Sequence, residues 1–194
     1  VAGGGIGGAA CAVALQKRGF NVVVLESDPS FDSRKQGYGL TVQRQDAVNA
    51  MGIDLAADDA PSTSHYTFDD KGRVLSVFGE AFGGKDTGKE RKECKNSGRF
   101  IHIPRQVLRR RILEAVRPGT IRWNSALEGF RTSKKNPKVV KVKLSGGDVI
   151  DAALLVGSDG IFSTVRRNLA LPGDRLNYVG LMVVLGIVED SILD

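Results

Sequence analysis

The chain has 194 residues, 41% hydrophobic and 26% charged, with a formal net charge of +6, which suffices for one or two packed domains. No apolar run is long enough to span a bilayer. The two cysteines, Cys11 and Cys94, fit neither a disulfide framework nor a metal-ligand spacing.

The positive charge is concentrated in two places. Arg131, Lys134, Lys135, Lys138, Lys141 and Lys143 stand together without an acid, and residues 85–99 form a second basic stretch. The first cluster alternates along an apparent hairpin, which puts its cations on a solvent face. The second is a Gly/Lys/Glu-rich loop without aromatics for base stacking. Both read as solvated surface, so no nucleic-acid partner is expected. The sequence opens Val1-Ala2-Gly3 and closes soon after the apolar run 179–188, and both ends read as cuts. A targeting peptide upstream would be invisible, so the compartment stays at a cytoplasmic default.

In chain order, Val1-Ala2 reads as the end of a strand and Gly3 to Gly8 as a turn. A helix follows over 9–17, then a Gly19 stop and a buried strand over 20–25. This is a β-α-β unit, whose parallel strands need a helical crossover. A helix is expected near 44–51, ended by Gly52. Strands follow at 65–68 and 74–78 across an Asp69–Gly72 turn, and another at 100–103. Pro104 opens a helix over 105–116, in which Arg109, Arg110 and Arg111 read as exposed charges. Residues 126–132, 138–145 and 148–150 form a small meander turning at Gly146-Gly147. Leu154-Leu155-Val156 reads as a second buried strand, and Ser163 as the N-cap of a helix to about Leu169.

Gly3, Gly5 and Gly8 make a G-x-G-x-x-G motif, with Ile6 and Gly7 inside it. The first glycine permits the tight turn, the second lets backbone approach a pyrophosphate, and the third lets the helix pack close to the sheet. Glu26 ends the next strand at about the spacing of the carboxylate that accepts from adenosine ribose hydroxyls. Alone, the glycines are a weak signal; the following helix, strand and acid strengthen it.

Farther along, Asp159-Gly160 with Ser163 and Arg166 resembles the D-G…S-x-x-R motif of the class A flavoprotein monooxygenases related to para-hydroxybenzoate hydroxylase. Arg105 to Leu108 is similar to the family's R-x-x-L. The segment 35–40, Lys-Gln-Gly-Tyr-Gly-Leu, is similar to its R-x-G-x-G, with Lys35 at the matching position and Arg34 just before it; either could face the cofactor. The resemblance implies an α/β fold: a Rossmann-like, GR2-type FAD-binding domain (1–64 and 104–174), interleaved with the first strands of a β-rich substrate domain (65–103 and 175–194). It implies FAD near Arg105, Asp159 and Gly160, with NADH or NADPH as reductant. It also implies a C4a-peroxyflavin that passes one atom of O2 to a small organic substrate, aromatic or polyene-like. No catalytic acid or base stands out; His65 and His102 read as structural or surface residues. The family's later G-D motif would lie beyond Asp194, so the chain by itself is expected to be inactive. The rivals are a halogenase, reductase or oxidase on the same scaffold, and a non-enzymatic module that binds an acidic partner.

Overall fold

The structure is a computed structural model that describes residues 1–33, 38–60, 65–78, 101–184, 186 and 188. The first helix, α1 (Ile6–Lys17), follows the glycine turn directly, and the short strand β1 (Val24–Leu25) follows α1. Four parallel rows lie side by side: residues 156–158, residues 1–3, β1, and β6 (Ile121–Arg122). Ala2 is the hinge of this array. Its amide donates to the Val156 carbonyl and its own carbonyl accepts from Ser158, each at 2.8 Å. On the other side the Leu25 amide donates to Val1 and the Gly3 amide to Leu25, again at 2.8 Å.

β2 (Gly39–Val42) pairs antiparallel with β5 (Ile101–Pro104), which runs straight into α3 (Arg105–Glu114). Helix α2 (Gln45–Ala50) follows β2 in the chain. α1 and α3 pack together over a core containing Val13, Val24, Leu55, Ile103, Leu108 and Ile112. Ala9 and Ala12, both fully buried, let the helices approach closely. Burying side chains of the size of Ile103 or Ile112 stabilises by roughly 1.5–3 kcal/mol each. A second, smaller core of Leu25, Val142 and Leu144 lies under the antiparallel meander β7 (Leu127–Thr132), β8 (Val140–Leu144) and β9 (Val149–Ala152). In β8, Val142 and Leu144 are buried while Lys143 points outward, as alternation requires. α4 (Thr164–Leu169) leans on β7.

The hairpin of β3 (His65–Phe68) and β4 (Val74–Phe78) turns where expected, with the Asp69 carboxylate accepting from the amides of Lys71 and Arg73. Two expectations are corrected. Residues 154–156 do not form a buried strand: Leu154 is 69% exposed, Leu155 is half-buried against the second core, and Val156 accepts one hydrogen bond from the Ala2 amide. With Phe20 and Val23, also exposed, Leu154 rims an open, mainly aliphatic hollow of about 470 Å³. The strand expected over 20–25 is buried only at Val24 and Leu25, where β6 covers it. Among the described residues, no helix is long and apolar enough to cross a membrane.

Candidate functional site

The four parallel rows end together and bring Gly3, Glu26, Trp123 and Ser158 to one edge of the sheet. In open α/β sheets, ligands bind in the crevice outside these carboxyl ends. A cleft of about 360 Å³ lies here, lined among others by Gly3, Gly5, Glu26, Arg105, Asp159 and Gly160. The hollow at Leu154 is larger but mainly aliphatic; the cleft holds the charged and donor groups.

The glycine loop has two closed positions and one open one. Gly3 has φ +98°, and a Cβ there would lie 2.3 Å from the Ser158 carbonyl oxygen. At Gly8 a Cβ would lie 1.9 Å from the Gly3 carbonyl oxygen, so the first turn of α1 rests on the strand end. At Gly5 a Cβ would meet nothing within 4 Å, although Gly5 lines the cleft. Gly5 is also the N-cap of α1 and has no side chain to cap it; the first internal bond of the helix is Ala9 to Gly5 at 2.9 Å. The amides of Ile6, Gly7 and Gly8 therefore have no acceptor one turn back, and the positive end of the helix dipole meets the space above Gly5. Open room with donors at a helix start fits the pyrophosphate of a dinucleotide such as FAD.

Glu26 is nearly buried beside this loop. One carboxylate oxygen accepts from the Gly4 amide at 2.8 Å, and the other from the Asp28 amide at 3.0 Å and the Ser27 hydroxyl at 3.1 Å. Burial pushes the carboxyl up, but the Asp28 and Gly4 amides, Ser27 and the Arg109 charge outweigh it, and Glu26 is held below the usual carboxylate range. An ionised carboxylate offers about four acceptor sites, so these three bonds leave about one unused.

Arg109 is the residue that sequence reasoning missed. Expected as an exposed charge, it is 3% exposed. Its Nε donates to the Gly4 carbonyl at 3.1 Å, and its Nη2 stands 3.6 Å from Glu26 Oε2. The guanidinium carbon lies 5.3 Å from the Phe31 ring centroid and 5.8 Å from that of Trp123. Helix phase decides its burial: Arg109 shares the inward face of α3 with Leu108 and Ile112, while Arg110 is exposed. Spacing carried that signal, since Arg109 lies one turn beyond Arg105 and three residues before Ile112.

Asp159 and Gly160 line the cleft next to Gly3, but the Asp159 carboxylate is turned into α4. Oδ1 accepts from the Ser163 hydroxyl at 2.5 Å, and Oδ2 accepts from the amides of Thr164 at 2.7 Å and Val165 at 3.1 Å. Ser163 in turn accepts from the Arg166 amide at 2.9 Å, the N-cap bond expected of it. Burial pushes the Asp159 carboxyl up; Ser163 and the Val165 and Thr164 amides prevail, and it too is held below the usual range. Arg166 closes the turn by donating to the Ile161 carbonyl at 2.6 Å. Arg105 lines the cleft with its guanidinium carbon 5.3 Å from the Tyr38 ring centroid. Arg34 and Lys35 lie outside the described residues. His65 is exposed, and His102 Nδ1 is 3.2 Å from the Thr41 hydroxyl in the β2–β5 pair.

The profile of the FAD binding domain family matches residues 1–191. The chain belongs to this family, and its resemblance to the class A flavoprotein monooxygenases is borne out. It is 33% identical over 193 residues to chloroplastic zeaxanthin epoxidase of Nicotiana plumbaginifolia, a match that takes in 97% of this chain and 28% of that protein. With 3-hydroxybenzoate 6-hydroxylase of Polaromonas naphthalenivorans it shares 31% identity over 191 residues, covering 97% of this chain and 46% of the relative. The chain thus spans less than half the length of these two relatives. Its fold is also that of 2,6-dihydroxypyridine-3-hydroxylase from Arthrobacter nicotinovorans, with TM-score 0.66 and 22% identity over 87% of this chain and 38% of the other.

Proposed function

We propose that the chain is the dinucleotide-binding part of an NAD(P)H-dependent FAD monooxygenase acting on a small organic substrate, aromatic or polyene-like. The observation that carries this reading is the open space above Gly5 at the uncapped start of α1, within a chain of the FAD binding domain family. The names of the relatives, a zeaxanthin epoxidase and a hydroxybenzoate hydroxylase, support the substrate class.

In this reading the amides of Ile6, Gly7 and Gly8 bind the pyrophosphate, and Glu26 orients the adenosine ribose through its free acceptor site. Arg105 adds positive charge at the cleft wall, and the family resemblance assigns Arg34 or Lys35 to the flavin. Asp159 and Gly160 set the wall beside the glycine loop, with the Asp159 carboxylate acting through the amides of α4. FAD, when bound and reduced, supplies the activation of O2 that no protein side chain can. Residues 1–64 and 104–174 form the FAD-binding domain. Residues 65–103 and 175–194 belong to a substrate domain interleaved with it, a division supported by the exposure of the β3–β4 hairpin on both faces.

The test is to express the naturally encoded protein and measure bound flavin, NADH and NADPH oxidation, and oxygenated product with phenols and carotenoids. Stoichiometric FAD with coupled oxygenation is expected. Flavin-free protein would sink the cofactor reading, and flavin reduction without oxygenation would favour a reductase or oxidase.

A further inference from the structure

Arg109 is a buried cation at the cleft whose contacts are to the loop and the carboxylate rather than to solvent. Its Nε fixes the Gly4 carbonyl, while the Gly4 amide is held by Glu26, so Arg109 and Glu26 hold the two peptide units on either side of the Gly4 Cα. At 3.6 Å the guanidinium contributes charge to Glu26 Oε2 without occupying an acceptor site. Phe31 and Trp123 flank the cation and restrict its movement. We propose that Arg109 is a positioning residue for the ribose of the dinucleotide, orienting the Glu26 carboxylate so that its remaining acceptor site faces the ribose hydroxyls. Arg105, four residues earlier and lining the same cleft, belongs to the motif at the helix start; Arg109 acts behind it, through Glu26.

This inference rests on the nucleotide reading of the cleft and sharpens it, and the probes separate the two. ADP carries the pyrophosphate and the ribose hydroxyls, 2′,3′-dideoxy-ADP carries only the former, and FMN lacks the adenosine altogether. In the naturally encoded protein freed of flavin, binding of FAD, FMN, ADP and dideoxy-ADP is measured by calorimetry for wild type, Arg109→Gln and Arg109→Lys. Wild type is expected to prefer ADP over the dideoxy analogue. Arg109→Gln should weaken FAD and ADP about tenfold, the scale of one charge-assisted hydrogen bond. It should erase the hydroxyl preference and leave FMN unchanged. Arg109→Lys keeps the charge but not the planar fork, and should restore part of that preference. It also serves as the informative variant if Arg109→Gln does not fold, since a fully retained preference in the lysine protein with the Gly4 bond lost overturns the proposal. Equal weakening of ADP and dideoxy-ADP in either variant overturns it in favour of a direct phosphate contact. Unchanged FAD affinity in both variants overturns it outright. A wild type that binds neither FAD nor ADP overturns the nucleotide reading itself, and this proposal with it.

Discussion

The two walls of the cleft share their parts, a glycine-containing turn into a helix and an acid just past the end of a parallel row, yet they do opposite things. On the loop side, Glu26 and α1 leave capacity unused: an uncapped helix start, space above Gly5 and an acceptor site on the carboxylate. On the other side, Asp159 spends its carboxylate on the Ser163 hydroxyl and the first amides of α4, and that helix start is filled by its own chain. Sequence alone makes both acids look like ligand groups. What separates a receptor from a scaffold is whether the helix amides already have a partner.

The largest effect that would test this contrast is at Gly8. Gly8→Ala places a methyl 1.9 Å from the Gly3 carbonyl oxygen, and should cost about 3 kcal/mol or more, lowering the melting temperature by about 10 °C. Gly5→Val should do the reverse, with FAD affinity falling about a hundredfold or more at an unchanged melting temperature, because the side chain fills ligand space and not protein. A Gly5→Val protein that still holds flavin would remove the receptor side of the comparison. Asp159→Asn should cost about 1–2 kcal/mol through the weakened cap of α4, with FAD affinity falling less than in Glu26→Gln. If Asp159→Asn instead lost flavin without losing stability, its carboxylate would be facing the cofactor after all.

Acid should act on both walls in the same sense. Each carboxylate is held below its ordinary value, 4.5 for Glu26 and 3.8 for Asp159. Their stabilising contribution is therefore complete above those values and lost as pH falls through the depressed ones. FAD affinity and melting temperature should be flat from about pH 8 to about pH 5 and decline only in more acid solution. A midpoint near neutrality in a flavin titration would show that another group controls binding. The smallest effect is expected from neutralising Lys134, Lys135, Lys138, Lys141 and Lys143 together. Lys141 pairs with Asp151 at 2.8 Å and Lys143 with Glu128 at 2.7 Å on the meander surface, contacts of about 0–1 kcal/mol each. FAD affinity should not change, and a collapse in a folded protein would return the basic cluster to the site.

The glycine loop, Glu26, the Pro104 helix and the Ser163 cap were legible because each is local: a few residues fix the turn, the strand end or the cap. Leu154 was misread because three consecutive aliphatic residues do not reveal whether anything packs over them. Arg109 was hidden among three consecutive arginines, where only helix phase against Leu108 and Ile112 distinguishes the buried one. The pairing of β2 with β5 joins residues some sixty apart, such as Thr41 and His102, and no periodicity announces a partner at that distance. Site geometry that depends on such long-range closure becomes visible only with the fold.

Trp123 is the single tryptophan of the chain, and its ring lies 5.8 Å from the guanidinium carbon of Arg109, itself part of the cleft lining. Indole emission overlaps the near-ultraviolet absorption of an isoalloxazine, so a flavin seated in the cleft would lie well within the range of resonance energy transfer. This chain therefore carries an optical reporter beside the cleft. Trp123 emission would follow cleft occupancy without a label, and its wavelength, shifting as the indole becomes wet, would follow opening of the Phe31–Arg109–Trp123 contact when the cleft is empty.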